Sequence, residues 1–303
     1  MIWIFSPVYF DVKSYKKLIE NINEVANKNN WGDIKFICVD DTAGIDPEIE
    51  ELKSHDNLDV LTLPVNMGHQ LALVYALREY KNIIQDEDAV FTLDADGEDR
   101  PEDLPRLFET LQNQTFKDGC ILAKRTSREE DTWFKLNYVF FKVLFKVLTG
   151  TVIQSGNFAC FKGYYLQTMI LHPNFDLCYS SSLVRLNPNK ISYVPCPRGI
   201  RYEEQSKMNY KRLILHGLRM LMPFIDLICM RGFIGICITY ATTLTFLVIM
   251  LMENVFSVAS LPYMNAILIS AIGSSTFLFI FIVMVIFIFL SKSNITHPKY
   301  QKN

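Results

Sequence analysis

The 303-residue sequence predicts an α/β fold with a mostly parallel, Rossmann-like sheet, followed by an interfacial helix and two transmembrane helices. Three observations favour this fold class. Short apolar runs alternate with amphipathic helical segments through the first two thirds of the chain, which is typical of βαβ units. Carboxylates follow several of these runs at the strand ends where parallel sheets bind ligands. Two long uncharged stretches come later in the chain.

The elements follow from the pattern of apolar residues. Strands are predicted at residues 1–6, 34–39, 58–63, 90–93, 120–123 and 191–196, and a turn at 155–161 leads into a further short strand. Helices are predicted at residues 11–28, 47–53, 70–80, 102–112 and 133–148. The amphipathic helix at 210–230 suits a membrane interface, and we expect it to kink at Pro223.

The two uncharged stretches predict membrane spans. Residues 232–252 and 264–290 carry no charge, and each exceeds the roughly 20 residues that cross a bilayer. Lys and Arg flank the spans but are missing from the loop between them, so both termini are predicted to be cytoplasmic. The predicted organisation is a domain at 1–208, a juxtamembrane helix at 209–231, the two spans, and a tail at 291–303.

Composition narrows the function classes. The net charge of −2 is nearly balanced, so no nucleic-acid partner is expected. The seven cysteines are scattered without a CxxC pair, which favours reduced thiols in a reducing compartment. The N-terminus has no basic region before its apolar run, so we interpret it as the first strand and not as a signal peptide.

An acidic stretch after the fourth strand is the main candidate site. Side chains alternate along extended backbone, so Asp94, Asp96 and Glu98 can point to one side. Three carboxylates converging in this way suit a hard cation such as Mg²⁺ or Mn²⁺. The alternative from the Asp-x-Asp pattern alone is a solvated acidic turn.

Five motifs in order carry a family resemblance. They are Pro7-Val8-Tyr9, Asp40-Asp41, Asn66 to Ala72, Asp94 to Glu102, and Arg201 to Lys207. Their order resembles the inverting family 2 glycosyltransferases of the GT-A fold. More narrowly it is similar to membrane-anchored polyprenyl-phosphate transferases, namely dolichyl-phosphate mannose synthases and bactoprenol glucosyltransferases, which implies that residues 1–208 form a GT-A catalytic domain.

The resemblance implies a nucleotide-sugar site. Its residues would be Pro7, Tyr9, Asp40, Asp41, Asn66, Gly68, Gln70 and Asp94. The aspartate pair would hold the base and the ribose, and the start of the helix after Gly68 would lie beside the nucleotide, where phosphate oxygens also bind well. The alternative for Asp40 and Asp41 is capping of a turn or helix.

The resemblance also implies catalytic and metal-binding residues. Asp94, Asp96 and Glu98 would hold the cation, although Glu98 replaces a glutamine of the family. Arg201 and Lys207 would close over the diphosphate. The catalytic set predicted in this way is Asp96, Asp99, Arg201 and Lys207.

The acceptor side departs most from the family pattern. Arg125, Arg128, Ser155 and Asn157 are predicted to bind an acceptor phosphate, with a surface salt bridge as the alternative for Arg128. Bactoprenol glucosyltransferases carry Gly-Asp-Phe-Arg at residues 156–159, whereas this chain has Gly-Asn-Phe-Ala. Both the acid and the arginine are therefore replaced.

The predicted function is transfer of a sugar, with UDP-glucose as the first candidate donor, to polyprenyl (undecaprenyl) phosphate at the cytoplasmic face of a bacterial inner membrane. One alternative is transfer to a hydroxyl of a lipid-linked or surface glycan, with Asp99 as general base. A second alternative is an inactive membrane scaffold. Membrane lipids are expected partners, and a homo-oligomer is possible by resemblance.

Overall fold

The computed structural model describes residues 1–126, 132–202, 210–255 and 261–293. The chain divides into two compact units, the first formed by residues 1–143 and 152–223 and the second by residues 144–151 and those from 224 onward. Arg128, Lys207 and most of the predicted tail lie outside the described residues.

A seven-stranded sheet forms the centre of the first unit. Its strands are β1 (Ile2–Val8), β2 (Ile34–Asp40), β3 (Leu58–Thr62), β4 (Ala89–Thr92), β5 (Cys120–Arg125), β6 (Ser155–Lys162) and β7 (Ile191–Cys196). The order across the sheet is β3-β2-β1-β4-β6-β5-β7. Strand β6 is antiparallel to both neighbours and every other pair is parallel, which confirms the predicted mostly parallel sheet.

The helices follow the predicted pattern with additions. They are α1 (Val12–Lys28), α2 (His69–Tyr80), α3 (Leu104–Gln112), α4 (Thr132–Thr149), α5 (Gly163–Met169), α6 (Tyr179–Leu186), α7 (Tyr210–Leu221), α8 (Ile225–Val255) and α9 (Leu261–Ser293). Short 3-10 turns occupy Pro47–Ser54, Pro101–Asp103, Pro173–Asp176 and Met222–Phe224. Helices α5 and α6 were not predicted, and the expected break at Pro223 is confirmed because α7 ends at Leu221.

Alternating residues of β1 pack on opposite faces of the sheet. Ile4 belongs to a buried cluster with Tyr15 and Leu18 of α1. On the other face, Phe5 contacts the ring of Tyr80 of α2, with ring centroids 5.7 Å apart. Both faces of this central strand are therefore covered, as the continuous apolar sequence of a parallel strand requires.

The predicted turn at residues 155–161 is wrong. Strand β6 begins at Ser155 and pairs with β4 and β5. Gly156 and Asn157 are common turn residues, which favoured a turn in the sequence. The pairing to two neighbouring strands overrides that local preference, because β-propensity depends strongly on position in the sheet.

The second unit contains two long apolar helices. Helices α8 and α9 pack together where Gly232 and Gly235 lie against the rings of Phe281 and Phe277. By length and composition, Ile214–Thr245 and Asn265–Val283 are candidate membrane spans among the described residues. The predicted spans at 232–252 and 264–290 lie within α8 and α9.

Candidate active site

The carboxyl ends of three adjacent parallel strands bring most predicted site residues to one edge of the sheet. Strand β1 lies between β2 and β4. Tyr9 follows β1, Asp41 follows β2, and Asp94 follows β4 by two residues. Pro7 lies within β1, and the Tyr9 side chain is 47% exposed. This edge is where ligands bind in open α/β sheets.

A strap formed by residues 199–202 holds the acidic loop. The Gly199 amide donates to the Glu98 carbonyl at 2.8 Å, and the Tyr202 amide donates to the Asp96 carbonyl at 2.9 Å. Gly97 has a φ of +86°, and a Cβ at this position would lie 2.8 Å from the Tyr202 ring. Gly97 is therefore required both for its backbone conformation and for the close approach of Tyr202.

Three arginines surround the Glu98 carboxylate. Arg198 Nη2 donates to Oε1 at 2.6 Å, and Arg201 Nε donates to the same oxygen at 2.5 Å. Arg125 Nη1 lies 3.4 Å from Oε2. Burial opposes charge on Glu98, but the hydrogen bonds and charges of Arg198 and Arg201 outweigh it and lower its pKa. Glu98 was predicted as a metal ligand, and that role stays a prediction; in the structure its two oxygens pair with Arg198, Arg201 and Arg125.

Both carboxylate oxygens of Asp99 accept hydrogen bonds. Its Oδ2 accepts from the backbone N–H of Asp94 at 3.1 Å, and its Oδ1 accepts from Arg125 Nη2 at 3.1 Å. The residue is 3% exposed, and burial raises its pKa to about 6 although Arg125 opposes the shift. This geometry suits a clamp on the acidic loop, and the base role of Asp99 stays a prediction. Arg125, predicted to bind an acceptor phosphate, is the cation of this clamp.

Asp94 and Asp96 lie close to each other and to further carboxylates of the acidic loop. Burial and the neighbouring Asp96 raise the pKa of Asp94 to about 6. Burial also raises the pKa of Asp96, with Glu98 adding to the shift. Asp96 Oδ2 lies 3.3 Å from Arg201 Nη2, and its Oδ1 accepts from the Glu98 amide at 3.0 Å. Raised carboxyl pKa values of this kind mark places where a cation is favoured.

The two aspartates at the end of β2, Asp40 and Asp41, have different partners. Asp40 accepts from the amides of Thr42 at 2.9 Å and Gly44 at 3.2 Å, which matches the turn-capping alternative. Asp41 Oδ1 accepts from the amides of Met67 at 2.7 Å and Gly68 at 3.3 Å. Asp41 therefore fixes the predicted Asn66–Gln70 segment at the start of α2.

Gln70 and Asn157 meet beside Asp94. Asn157 Nδ2 donates to Asp94 Oδ1 at 3.0 Å, and Gln70 Nε2 donates to Asn157 Oδ1. Ser155 Oγ is buried without a hydrogen-bond partner in the described structure. Asn157 was predicted on the acceptor side, yet its amide contacts a residue predicted to bind the donor.

The sequence profile described as "Glycosyl transferase family 2" matches residues 3–169, more than half of the chain. The chain belongs to glycosyl transferase family 2. It is thus a glycosyltransferase that acts on nucleotide-sugar donors. Family membership argues against the alternative of an inactive membrane scaffold. No curated protein sequence matches this transferase significantly.

Solved structures with the same fold include two sugar-phosphoglycerate synthases. Mannosyl-3-phosphoglycerate synthase from Rubrobacter xylanophilus superposes with a TM-score of 0.52 at 12% identity, covering 75% of this chain and 73% of that chain. Glucosyl-3-phosphoglycerate synthase from Mycobacterium tuberculosis, solved with Mn²⁺, UDP-glucose and phosphoglyceric acid, gives 0.51 at 15% identity, covering 75% and 79%. At these identities the similarity shows the fold, which confirms the predicted GT-A class.

The site of the transferase fits a divalent cation at Asp94 and Asp96. Among the described residues, no group of three or more His, Cys, Asp or Glu side chains is arranged to hold a metal ion. Mg²⁺ in phosphate-transferring sites commonly takes only one or two carboxylates and completes its shell with phosphate oxygens and water. Asp94 and Asp96, whose pKa values are raised by burial and by neighbouring carboxylates, would therefore suit a cation shared with a diphosphate.

Sequence reasoning missed two residues of the site. Neither Arg198 nor Tyr202 was among the predicted site residues. The spacing Arg198-x-x-Arg201 is the available signal, since both arginines reach the same oxygen of Glu98. The spacing alone does not reveal which carboxylate they pair with.

Proposed function

We propose that this transferase moves a sugar, with inversion at the anomeric carbon, from a nucleotide-sugar to a polyprenyl phosphate at a membrane surface. The observation that carries the proposal is the hydrogen bonding of Asp99. One of its carboxylate oxygens accepts from Arg125 and the other from the backbone N–H of Asp94. A hydroxyl acceptor must lose a proton to a positioned base. A lipid phosphate is already anionic near neutral pH and needs none.

Apolar surface supports a lipid acceptor. Helix α7 exposes Ile214, Leu215 and Leu218, and the chain continues into α8 and α9, whose composition suits membrane spans. Amphipathic helices of this kind bind at the boundary between headgroups and acyl chains. We place the catalytic domain on the cytoplasmic side, in accordance with the distribution of Lys and Arg around the spans.

The donor would bind through its diphosphate at the acidic loop. A cation on Asp94 and Asp96 would neutralise charge on the leaving nucleoside diphosphate. Arg201 lies beside the same place, since its guanidinium contacts both Asp96 and Glu98. Asp41 holds the Met67 and Gly68 amides and so fixes the start of α2 beside the nucleotide.

The transfer then needs no proton movement. An oxygen of the acceptor phosphate attacks the anomeric carbon on the face opposite the leaving group. A new carbon–oxygen bond forms while the bond to the diphosphate breaks, and its electron pair leaves with the nucleoside diphosphate. The protein's contribution is to orient both phosphates and to stabilise the charge on the leaving one.

One observation favours the hydroxyl-acceptor alternative. The pKa of Asp99 is raised to about 6 by burial, close to the range in which a general base is effective. For this role Asp99 must exchange the Arg125 contact for the acceptor hydroxyl. The two functions therefore differ in whether the acceptor carries a phosphate.

The test uses the purified full chain in detergent with Mg²⁺ or Mn²⁺ and a panel of radiolabelled nucleotide-sugars. UDP-glucose is tried first, since it is the donor in the Mycobacterium tuberculosis structure. Undecaprenyl phosphate and undecaprenol serve as matched acceptors that differ only in the phosphate. Label entering the phosphate lipid alone, and lost in Asp96→Asn, supports the proposal.

Other outcomes contradict it in distinct ways. Label entering undecaprenol as well would favour a hydroxyl acceptor with Asp99 as base. Donor hydrolysis without label in either lipid would exclude both lipids as acceptors. If no nucleotide-sugar is consumed and no lipid is labelled with any donor, the proposed reaction is overturned.

A further inference from the structure

We propose that Gln70 is a positioning residue for Asp94, acting through the side chain of Asn157 and not by binding the nucleotide. The three side chains form a hydrogen-bonded relay, Gln70 to Asn157 to Asp94. The inference rests on the proposed function only in taking Asp94 as part of the donor site. It changes the role that the sequence predicted for Gln70 and for Asn157.

The direction of the relay is set by a backbone group. The amide of Ser180 donates to Gln70 Oε1 at 2.9 Å. A backbone N–H can only donate, so the Gln70 atom facing it must be the oxygen. The Gln70 nitrogen is then turned to Asn157 Oδ1, which leaves the Asn157 nitrogen as the group that donates to Asp94.

The frame around Asn157 is rigid. Asn157 is 3% exposed and lies on β6, next to β4. Its backbone carbonyl accepts from Thr92 Oγ1 at 2.6 Å, and the same hydroxyl lies 2.9 Å from the hydroxyl of Tyr179. The backbone position of Asn157 is thereby fixed, so the remaining freedom is rotation of its amide, which Gln70 removes.

The amide orientation matters because its two ends have opposite polarity. With nitrogen toward Asp94, Asn157 stabilises the carboxylate form of that residue in a site crowded with other carboxylates. With oxygen toward Asp94, two acceptors would face each other and Asp94 would turn away. Gln70 and the Ser180 amide thus decide whether Asp94 is held in one place.

Gln70→Glu tests this directly because it conserves shape and reverses polarity. One oxygen of the new carboxylate still accepts from Ser180, and the other can only accept from Asn157. Asn157 then turns its nitrogen to residue 70 and its oxygen to Asp94. Gln85→Glu is the matched control, since the Gln85 side chain is exposed and its Nε2 donates to the carbonyl of Ile83, away from the relay.

The experiment is a double-variant cycle in the full chain with Gln70→Glu, Asn157→Ala and the combination. Each single change is expected to lower kcat/KM by about 10- to 100-fold, as for loss of a hydrogen bond to a charged group. The kcat/KM of the combined variant should lie within about 2-fold of that of the more impaired single variant. Residues that act as one unit do not give additive effects. Gln85→Glu should match the wild type.

If Gln70 and Asn157 act independently, the kinetics of the variants will differ from those expected for the relay. If Gln70 binds the nucleotide, Gln70→Glu raises the donor KM, Asn157→Ala does not, and the losses multiply. Either result overturns the relay. Should Asn157→Ala fail to fold, Asn157→Ser replaces it, since a short hydroxyl cannot span both partners.

A second readout separates this inference from the proposed reaction. The same cycle is measured by thermal unfolding without donor or metal, where the relay predicts shifts in melting temperature that are less than additive. Additive shifts overturn the relay even if the enzyme is active. A wild type that turns over no donor overturns the proposed function, while coupled melting shifts would still support the relay.

Discussion

Replacement of Glu98 by glutamine tests whether this carboxylate anchors the arginine cluster or binds a metal ion. The change restores the residue expected from the family and removes one negative charge. Arg198, Arg201 and Arg125 would lose the carboxylate that joins them. If Glu98 were instead a metal ligand, glutamine would still offer an oxygen and the protein would keep its stability.

The magnitude follows from the burial of the cluster. Removing one partner of a buried ion pair costs about 3–5 kcal/mol. Gln keeps one acceptor oxygen, and the arginine side chains are 23% to 28% exposed, so water screens part of the lost charge. We therefore expect Glu98→Gln to lower the free energy of unfolding by about 2 kcal/mol, or about 4–8 °C in melting temperature for a domain of this size.

The assay compares Glu98→Gln with Glu102→Gln by thermal unfolding and by Mn²⁺ titration. Glu102 is the matched control because it pairs with Arg100 at 3.3 Å on the same loop but is 59% exposed, so its loss should cost under about 0.5 kcal/mol. Glu98→Gln should leave the Mn²⁺ affinity within about 10-fold, because the carboxylates of Asp94 and Asp96 are kept and only the charge beside them changes. An unchanged melting temperature with a weakened Mn²⁺ affinity would refute the arginine-cluster assignment.

The same variant has a pH signature. Because the folded pKa of Glu98 is lowered, its contribution to stability is present above its ordinary pKa and is lost as the pH falls through the folded value. Glu98→Gln should remove this acid-side loss. A wild type and a variant that lose stability in parallel toward acid would contradict the lowered pKa.

Three further outcomes are expected. Asp96→Asn, or chelation of divalent ions with EDTA, should reduce donor turnover by at least about 100-fold, measured as release of nucleoside diphosphate. Gly97→Ala should destabilise the protein by more than about 2 kcal/mol in thermal unfolding, since φ is +86° and the Tyr202 ring is in the way, whereas Gly32→Ala, with no atom within 4 Å, should be nearly neutral. Burial raises the pKa of Asp41 to about 6 despite its backbone hydrogen bonds, so its stabilising contribution is greatest in acid and is lost as the pH rises through about 6. Asp41→Asn should therefore flatten the fall in the urea midpoint between about pH 4 and 6, and a fall as steep as that of the wild type would contradict this shift.

The local pattern of apolar and polar residues was sufficient to predict most of the helices and strands. Buried strands are marked by continuous apolar runs, and the predicted strand at 34–39 corresponds to β2 at Ile34–Asp40. The acidic loop after β4 and the helix break at Pro223 also depend on neighbouring residues only. Strand β6 was misread at its start, because its structure depends on two partner strands and not on Gly156 and Asn157 themselves.

The sequence by itself determined the α/β class and placed the predicted site residues Asp94 and Asp96 in the loop after the fourth strand. Only the tertiary structure decided what the neighbouring acids do. Glu98 pairs with Arg198, 100 residues further along the chain, and Asp99 pairs with Arg125, 26 residues away. Such pairings arise when the sheet and the strap bring distant segments together, and charge alone does not specify which partner a carboxylate will meet.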